Sequence, residues 1–329
     1  MSEFHLIAQL RHRLADIGAA RLDLGIGDDA ALWTPQPGQQ VVTCCDTLIE
    51  GRHFHADADP ADIAWKALAV NLSDLAAMAA EPVAALLALS LPALPDAAWL
   101  ERFCEGWAAL AGEHAVALAG GDTTRGPVLA LTVTCFGSVP QGAALCRDAA
   151  RIGDGVYVSG NLGDAAAGLL HWPQRRQAGI APLVARLTRP TPRLALGRAL
   201  RGIAHAGIDV SDGLLADLDH VLAASDVAAR IDVSRLPLSP ALLAAVGDAQ
   251  ARSFALTGGD DYELCFTVPA ANEAQLCAVA RSCDLRISRI GDIVEDSGER
   301  LLDHEGRPLR VQKSGWDHFA TSTPDGQGP

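Results

Sequence analysis

The stretch "PADIAWKALAVNLSDLAAMAA", residues 60–80, has the composition of a helix that is buried on nearly every side. Asp59 supplies an acceptor at the cap and Pro60 stands in the first turn, and both favour a helix start at this point. Side chains 67–80 are almost all apolar, and a helix that is apolar all round lies inside a domain. The segment therefore predicts a fold built around a central, covered helix.

Three polar side chains interrupt the apolar part of this helix: Asn71, Ser73 and Asp74. A buried carboxylate without compensation is costly, so we expect Asp74 to face a cation or a set of hydrogen-bond donors. Two interpretations are open for Asp74. It forms a salt bridge to an arginine or an internal cap, or it binds a metal ion.

Outward from this helix, strand-like and helix-like segments alternate along the chain. Apolar, β-branched runs predict strands at 40–48, 83–91, 128–139, 155–160 and 262–268. Helical spacing predicts helices at 60–80, 96–113, 163–171, 192–205, 212–225 and 272–282, and an amphipathic helix at the N-terminus. This alternation indicates an α/β or α+β architecture.

A turn-rich stretch at 140–154 separates two of these strands and is the predicted domain boundary. It gives an N-terminal domain at residues 1–148 and a C-terminal α/β domain at residues 149–320. The polar ending "TSTPDGQGP", residues 321–329, predicts a disordered tail.

The bulk composition excludes several classes of function. A formal net charge of −14 over 329 residues argues against nucleic acid or an anionic membrane as the main partner. The eight cysteines are scattered without a C-x-x-C pair, which indicates reduced thiols rather than disulfides or structural zinc. Neither a signal peptide nor a bilayer-length apolar run is apparent, so we expect a cytoplasmic protein.

Aspartates recur beside glycine or serine in segments that separate the predicted elements. These residues are Asp28, Asp29, Asp46, Asp122, Asp209 and Asp212. Asp46 is expected at the end of a strand, and Ser211 is expected to cap a helix that begins at Gly213. Each aspartate alone could be a turn or cap residue, but together they indicate a site of hard oxygen ligands.

The segment "AGGDTTRGP", residues 119–127, looks like a glycine-rich loop that cradles a phosphate, yet Asp122 would repel that anion. Magnesium resolves the contradiction, because it takes a few carboxylates and completes its ligand shell with water and substrate phosphates. The pattern predicts that Asp122 binds the cation that in turn binds the phosphate.

Other nucleotide-site and hydrolase motifs fit the sequence poorly. "GIGDDA", residues 25–30, matches a dinucleotide-binding fingerprint but would point two aspartates at the pyrophosphate. The sequence contains no P-loop, no protein-kinase motif set and no G-x-S-x-G. Taken alone, His53, Arg147 and Trp316 could be ordinary loop, surface and core residues.

A set of motifs spread over nearly the whole chain resembles the thiamine-monophosphate kinase family, within the aminoimidazole ribonucleotide synthetase-like superfamily. The motifs are "GIGDDAAL", "DTLIEGRHF", "WKALAVNLSDLAAMAA", "GGDTTRGP", "IDVSDGLLADL", "TGGDDYELCF" and "GWDHF". The resemblance implies a two-domain α/β fold whose N-terminal strands form a barrel across a homodimer. The N-terminal domain would bind ATP and magnesium and form the dimer. The implied activity is transfer of the γ-phosphoryl group of ATP to thiamine monophosphate.

The resemblance also implies roles for individual residues. Magnesium ligands would be Asp29, Cys45, Asp46, Asp74, Asp122, Asp209 and Asp212. The nucleotide would contact Gly121, Asp122, Arg147 and Ser211. Thiamine monophosphate would contact His53, Asp260 and Trp316. No general base is expected, because the acceptor is already an ionised phosphate.

The chain departs from the family pattern at three places. Cys44 and Cys45 replace residues that are often hydroxyl-bearing, and a thiol is a poor magnesium ligand, so Cys45 would act through its backbone carbonyl. Asp260 replaces a glutamate and is one methylene shorter, and Trp316 replaces a tyrosine and lacks its hydroxyl. Two other functions stay open: another ATP-dependent enzyme of the superfamily with a different acceptor, and a protein that senses ATP–magnesium without turnover.

Overall fold

The computed structural model describes residues 3–295, 301–303, 305 and 307–309, and the chain forms two compact units within them. The first unit comprises the residues up to 75 together with 80–142, and the second comprises 76–79 and the residues from 143 onward. Within the described residues, no helix is both long and apolar enough to cross a membrane. The predicted boundary at residue 148 and the predicted tail stay predictions.

The first unit is built on a four-stranded sheet in the order β1-β4-β2-β3. Its elements are α1 (Glu3–Leu14), β1 (Gln39–Ile49), α2 (Pro60–Ala77), β2 (Glu81–Leu91), α3 (Ala97–His114), β3 (Ala117–Arg125) and β4 (Ala130–Pro140). The pairs β1–β4 and β4–β2 are antiparallel, whereas β2 and β3 run parallel. The connection between these two parallel strands contains α3, the usual way to join parallel neighbours.

α2 is the covered helix that the sequence predicts, and this prediction is confirmed. Leu68, Leu72 and Leu75 are fully buried, and Asn71 on the same helix forms hydrogen bonds with Cys44 and Asp46 of β1. Asp74 is half-buried rather than fully enclosed. The opposite face of the sheet is more open, since Thr43, Cys45 and Thr47 of β1 are exposed on it.

The second unit is built on a seven-stranded sheet in the order β11-β10-β7-β9-β5-β8-β6. Its strands are β5 (Gly155–Ser159), β6 (Ala206–Asp209), β7 (Ala228–Asp232), β8 (Leu264–Val268), β9 (Ile287–Val294), β10 (Leu301–Leu302) and β11 (Pro308–Leu309). Its helices are α4 (Asp164–Leu170), α5 (Ala181–Thr188), α6 (Leu194–Ala199), α7 (Leu214–Ser225), α8 (Pro240–Thr257) and α9 (Glu273–Ser282). All pairings are antiparallel except that of β10 with β7. The core contains Val156, Ile208, Leu218 and Ile231.

Three local predictions are wrong. The stretch "AGGDTTR" is not a loop: it is most of strand β3, and Gly121 is needed because a Cβ there would lie 1.8 Å from the carbonyl oxygen of Leu87. Asp46 lies inside β1 instead of at its end. Gly213, not Ser211, occupies the N-cap of α7.

The helix expected over 192–205 is also shorter than predicted. α6 ends at Ala199, and Gly202 then adopts a left-handed conformation with φ 70°. This backbone conformation is incompatible with a continuing right-handed helix.

Close contact between α2 and α3 depends on one glycine, which gives a stability prediction. A Cβ at Gly106 would lie 1.9 Å from the carbonyl oxygen of Ala61, so Gly106→Ala must push the two helices apart. We expect a loss of about 3 kcal/mol in the free energy of unfolding.

Gly112→Ala on the same helix is the matched control, because nothing lies within 4 Å of the position that its Cβ would take. It should stabilise the chain by about 0.5 kcal/mol through helix propensity. Urea unfolding of both variants measures the difference, and equal effects would contradict the close packing.

Candidate functional site

Two candidate ligands of the first unit, Asp46 on β1 and Asp74 on α2, both raise the pKa of one thiol, that of Cys44. The pKa of Cys44 is raised far above its ordinary value by its hydrogen bond with Cys135, by burial, and by the negative charges of Asp74 and Asp46. Both carboxylates therefore make it harder to ionise the same thiol. This pair of carboxylates is suited to a cation.

Asn71 fixes the position of Asp46 relative to α2. Its amide oxygen accepts a hydrogen bond from the backbone N–H of Asp46 at 3.1 Å, and its amide nitrogen donates to the carbonyl of Ala67 at 3.1 Å. The Cys44 thiol donates to the Asn71 carbonyl at 3.2 Å. Because Asn71 is fully buried, these bonds are shielded from water and hold β1 against α2.

Cys45 has a different environment from Cys44. Its side chain is exposed on the open face of the sheet, where the hydroxyl of Thr134 donates to its sulfur at 3.3 Å. The side chain therefore points away from the face on which α2 packs. A magnesium contact through its backbone carbonyl stays a prediction.

Asp29 and Asp122 belong to a second group in this unit. Both are exposed and line a groove of about 1210 Å³ together with Gly121. The rest of the lining is largely apolar and includes Trp33, Leu86 and Phe136. The four candidate aspartate ligands of the first unit thus form two groups, Asp46 and Asp74 on β1 and α2, and Asp29 and Asp122 along this groove.

His53 lies in the turn after β1 and is held at two points. Its ring Nδ1 accepts from the backbone N–H of Ile49 at 3.0 Å, and its carbonyl accepts from the ammonium group of Lys66 at 3.0 Å. Lys66 is 2% exposed, so its buried charge is stabilised in part by this turn. These contacts hold His53 as a defined turn residue.

In the second unit, Asp209 and Asp212 surround a buried carboxylate that the sequence analysis missed. One oxygen of Asp217 accepts the backbone N–H groups of Ser211, Asp212 and Gly213 at 2.9, 3.1 and 3.1 Å. Burial, then the charges of Asp209 and Asp212, raise the pKa of Asp217 to about 7. An acid in the first turn of a helix after glycine is the sequence feature that could have revealed it.

Arg147 is held at the other end of α7. The hydroxyl of Ser225, in the last turn of that helix, donates to the Arg147 carbonyl at 2.8 Å and accepts from the N–H of Ala150 at 3.1 Å. The Arg147 side chain is exposed. The structure therefore places Arg147 and Ser211 at opposite ends of one helix, each fixed through backbone contacts.

Asp260 lies in a segment with unusual backbone geometry. Asp260 and Tyr262 have φ values of 69° and 49°, which non-glycine residues rarely adopt. The Tyr262 hydroxyl donates to Asp260 Oδ1 at 3.2 Å. The intervening Asp261 is completely buried, and Trp316, the third candidate substrate contact, lies outside the described residues.

A magnesium site is compatible with these residues, although the carboxylates do not form a complete cage. No group of three or more His, Cys, Asp or Glu side chains in the described part of the chain is arranged to hold a metal by itself. Magnesium needs only one or two protein carboxylates when phosphates and water supply the remaining ligands. The carboxylate pairs beside Cys44 and beside Asp217 fit that requirement, because each gathers negative charge at one point.

Family comparisons cover both units of the chain. Residues 27–139 match the AIR synthase related protein, N-terminal domain, and residues 151–304 match the AIR synthase related protein, C-terminal domain. The chain is 46% identical to the thiamine-monophosphate kinase of Escherichia coli K12 over 325 residues, covering 97% of this chain and 98% of the relative. The Haemophilus influenzae enzyme of the same name is 41% identical, with coverage of 98% and 99%.

Solved structures give the same grouping. Thiamine-monophosphate kinase from Stenotrophomonas maltophilia K279a is 49% identical with a TM-score of 0.84, covering 94% of this chain and 98% of the other. A structure described as "AaThiL complexed with AMPPCP and TMP" is 31% identical with a TM-score of 0.77 and coverage of 96% and 97%. Escherichia coli HypE, a hydrogenase maturation protein, covers 97% of this chain and 99% of its own with a TM-score of 0.80 at 20% identity, so it shares the fold alone.

The buried Asp261 generates a pH-dependent prediction. Its carboxyl accepts from the N–H groups of Gly163 and Ala165 at 2.6 and 3.4 Å, yet burial raises its pKa from 3.8 to about 8. Between these values the folded chain keeps a proton that the unfolded chain releases, so stability falls as pH rises. This fall amounts to as much as about 1.4 kcal/mol per pH unit.

Asp261→Asn keeps a neutral side chain and should lack this fall. Thermal melts at about pH 5 and about pH 8 should show the wild-type chain losing stability relative to Asp261→Asn at the higher pH. All other titrating groups are shared, so their effects cancel in the comparison. Parallel melting curves across this range would contradict the raised pKa.

Proposed function

Because the chain belongs to the thiamine-monophosphate kinases of the AIR synthase related family, we propose that its aspartates use magnesium to transfer a phosphoryl group directly between two substrates. The enzyme phosphorylates thiamine monophosphate with ATP and yields thiamine diphosphate and ADP. The observation that supports the magnesium-dependent route is that the negative charges of Asp74 and Asp46 both act on Cys44, and those of Asp209 and Asp212 both act on Asp217.

The proposed magnesium ligands are Asp29, Asp46, Asp74, Asp122, Asp209 and Asp212, with the backbone carbonyl of Cys45. When bound, magnesium neutralises phosphate charge and stabilises the charge of the transferring phosphoryl group. Asn71 keeps Asp46 beside α2, and Asp217 fixes the backbone that carries Asp212. These two buried side chains therefore set the positions of candidate ligands without binding the cation themselves.

The proposed nucleotide contacts are Gly121, Asp122, Arg147 and Ser211. Arg147 can pair with phosphate as a permanent cation, and Ser225 maintains its position through the bond to its carbonyl. The backbone N–H of Ser211 donates to Asp217, and the hydroxyl of Ser211 can donate to a phosphate of the nucleotide. Gly121 and Asp122 are adjacent on β3 and share the groove with Asp29.

The proposed contacts to thiamine monophosphate are His53, Asp260 and Trp316. The acceptor phosphate has a second pKa near 6, so its attacking oxygen is unprotonated at neutral pH. No side chain has to remove a proton from it. The work of the protein is then to orient two anions and to offset their repulsion.

We further propose that the enzyme is cytoplasmic and homodimeric. β1 is an edge strand of the first sheet, and Phe4, Leu32 and Val41 in this unit are 80%, 57% and 51% exposed. An open edge strand that carries the exposed Val41, in a unit with further exposed apolar side chains, favours pairing with a second copy. Equilibrium sedimentation at micromolar concentration should give a dimer, and a monomer would count against the proposal.

The function is tested by incubating the chain with ATP, magnesium and thiamine monophosphate and separating the products by chromatography. Thiamine diphosphate must accumulate as ATP is consumed. ATP loss that requires a different acceptor would replace this function with that of another enzyme of the superfamily. Nucleotide binding without turnover would indicate a sensor.

The variant Asp74→Asn distinguishes between two roles of Asp74, as a magnesium ligand or as a partner in a structural salt bridge. If Asp74 binds the cation, the metal-free variant should be at least as stable as wild type, because one repelling charge is gone. Magnesium with ATP should raise the melting temperature of wild type, and the variant should lose most of that increase and most activity.

Thermal melts of both proteins with and without magnesium and ATP provide the measurement. A structural salt bridge predicts instead a loss of about 3–5 kcal/mol in the metal-free variant. A badly destabilised variant whose response to magnesium is unchanged would rule out the metal role of Asp74.

A further inference from the structure

The segment 258–263, "GGDDYE", places the half-buried Asp260 next to three buried side chains, those of Asp261, Tyr262 and Glu263. Asp260 and Tyr262 contact each other through the Tyr262 hydroxyl, whereas Asp261 and Glu263 are both 0% exposed. Asp260 and Tyr262 both have left-handed φ values. Such conformations cost free energy in non-glycine residues, so the surrounding structure must hold them in place.

Two arginines hold the buried side of this segment through Glu263. Arg193 forms a two-point pair with it, Nε to Oε2 at 2.7 Å and Nη2 to Oε1 at 2.5 Å. Arg186 donates from Nη2 to Oε1 at 2.7 Å, and the Ser159 hydroxyl donates to Oε2 at 2.5 Å. Both carboxylate oxygens of Glu263 are therefore fully engaged.

Arg186 also holds the backbone next to Asp260. The same Nη2 donates to the carbonyl of Asp261 at 3.0 Å, so one guanidinium nitrogen joins this carbonyl to Glu263. On the other side of the peptide chain, the N–H groups of Asp260 and Tyr262 donate to the carbonyls of Ser211 and Val210, each at 2.8 Å. Asp260 is thus fixed between these backbone bonds and the arginine pair.

Two glycines, Gly160 and Gly259, leave the space that Glu263 and the segment 258–263 need. A Cβ at Gly160 would lie 2.2 Å from Glu263 Oε1, and a Cβ at Gly259 would lie 2.6 Å from the carbonyl oxygen of Ser211. Gly160 leaves room for the Glu263 carboxylate, and Gly259 lets the segment approach the carbonyl of Ser211. Neither glycine can be replaced without moving the segment.

We propose that Arg186 and Arg193 are positioning residues for the phosphoryl acceptor. By holding Glu263 and the Asp261 carbonyl, they keep Asp260 in the left-handed conformation in which its carboxylate meets thiamine monophosphate. This inference rests on the proposed substrate contact of Asp260. The two arginines act through Asp260 and do not touch the reacting atoms.

The test measures KM for each substrate in variants of the two arginines. Arg186→Gln should raise KM for thiamine monophosphate by about tenfold and leave KM for ATP within about twofold of wild type. Arg186→Lys should rescue most of the loss, since a single nitrogen makes both Arg186 contacts. Arg193→Lys should not rescue, because an ammonium group cannot form the two-point pair with Glu263.

Arg252→Gln is the matched control. Arg252 also joins a carboxylate, Asp248, to a backbone carbonyl, that of Val233, but on α8. Its loss should lower the melting temperature without changing either KM. This control separates general destabilisation from an effect on the acceptor.

A double-mutant cycle tests whether the arginine acts through Asp260. Asparagine tolerates the left-handed conformation, so Asp260→Asn removes the charge with little backbone strain. In that background Arg186→Gln should produce no further rise in KM for thiamine monophosphate. Independent, multiplicative effects would overturn the proposal, and so would an equal rise in both KM values.

The outcomes distinguish this inference from the proposed function. If the wild-type chain makes no thiamine diphosphate, the proposed function fails. If the wild-type chain is active and Arg186→Gln behaves like it, only the positioning role fails. If Arg186→Gln does not fold, Arg193→Lys replaces it in the test, because this variant keeps the positive charge. The same result is then expected: a raised KM for thiamine monophosphate with an unchanged KM for ATP.

Discussion

Repulsion between two phosphate-bearing substrates is the constraint on which this structure depends. The chain that must bring the two substrates together is itself negative, with a net charge of −14, and its candidate site residues are mostly aspartates. The proposed role of magnesium answers this constraint, because cations bound by carboxylates would offset the repulsion between the two anions. The pKa of Asp217 is raised mainly by burial and further by the charges of Asp209 and Asp212, so the neighbouring carboxylates add to the cost of ionising it.

Several candidate site residues are held in position in the same way, by hydrogen bonds between buried or half-buried side chains and the backbone. Asp46, Asp212 and Asp260 each lie beside buried or half-buried polar side chains that bond to the neighbouring backbone. Asn71 holds Asp46, Asp217 holds the Ser211–Asp212 turn, and Glu263 with its arginines holds Asp260. In this arrangement these neighbours, and not the candidate carboxylates, make the hydrogen bonds that hold the backbone at each site.

The sequence predicted the elements whose burial follows a simple pattern. The apolar surface of α2 and the apolar runs of β1, β2 and β4 were recognisable because periodicity reflects which faces are covered. β3 was missed because its glycines resemble a turn, whereas they permit close approach to β2. The support of Asp260 was missed because its members are distant in the chain: Arg186 and Glu263 are 77 positions apart.

Site residues were predicted through resemblance and through the unusual placement of aspartates. Composition alone could not separate Asp74 as a ligand from Asp74 as a salt-bridge partner, because the identity of its neighbours depends on tertiary packing. The structure adds that Asp46 and Asp74 influence one thiol, and that Asp29 and Asp122 line one groove. Neither grouping follows from sequence spacing.

The central claim is that the aspartates bind divalent cations together with the substrates, and counting bound ions tests it most directly. Mn²⁺ can be titrated into the enzyme with a non-hydrolysable ATP analogue and thiamine monophosphate while electron paramagnetic resonance measures the free ion. The account predicts that wild type binds more Mn²⁺ than the analogue alone and that Asp74→Asn loses part of this excess. Equal binding by the two proteins, or no excess over the analogue, would contradict it.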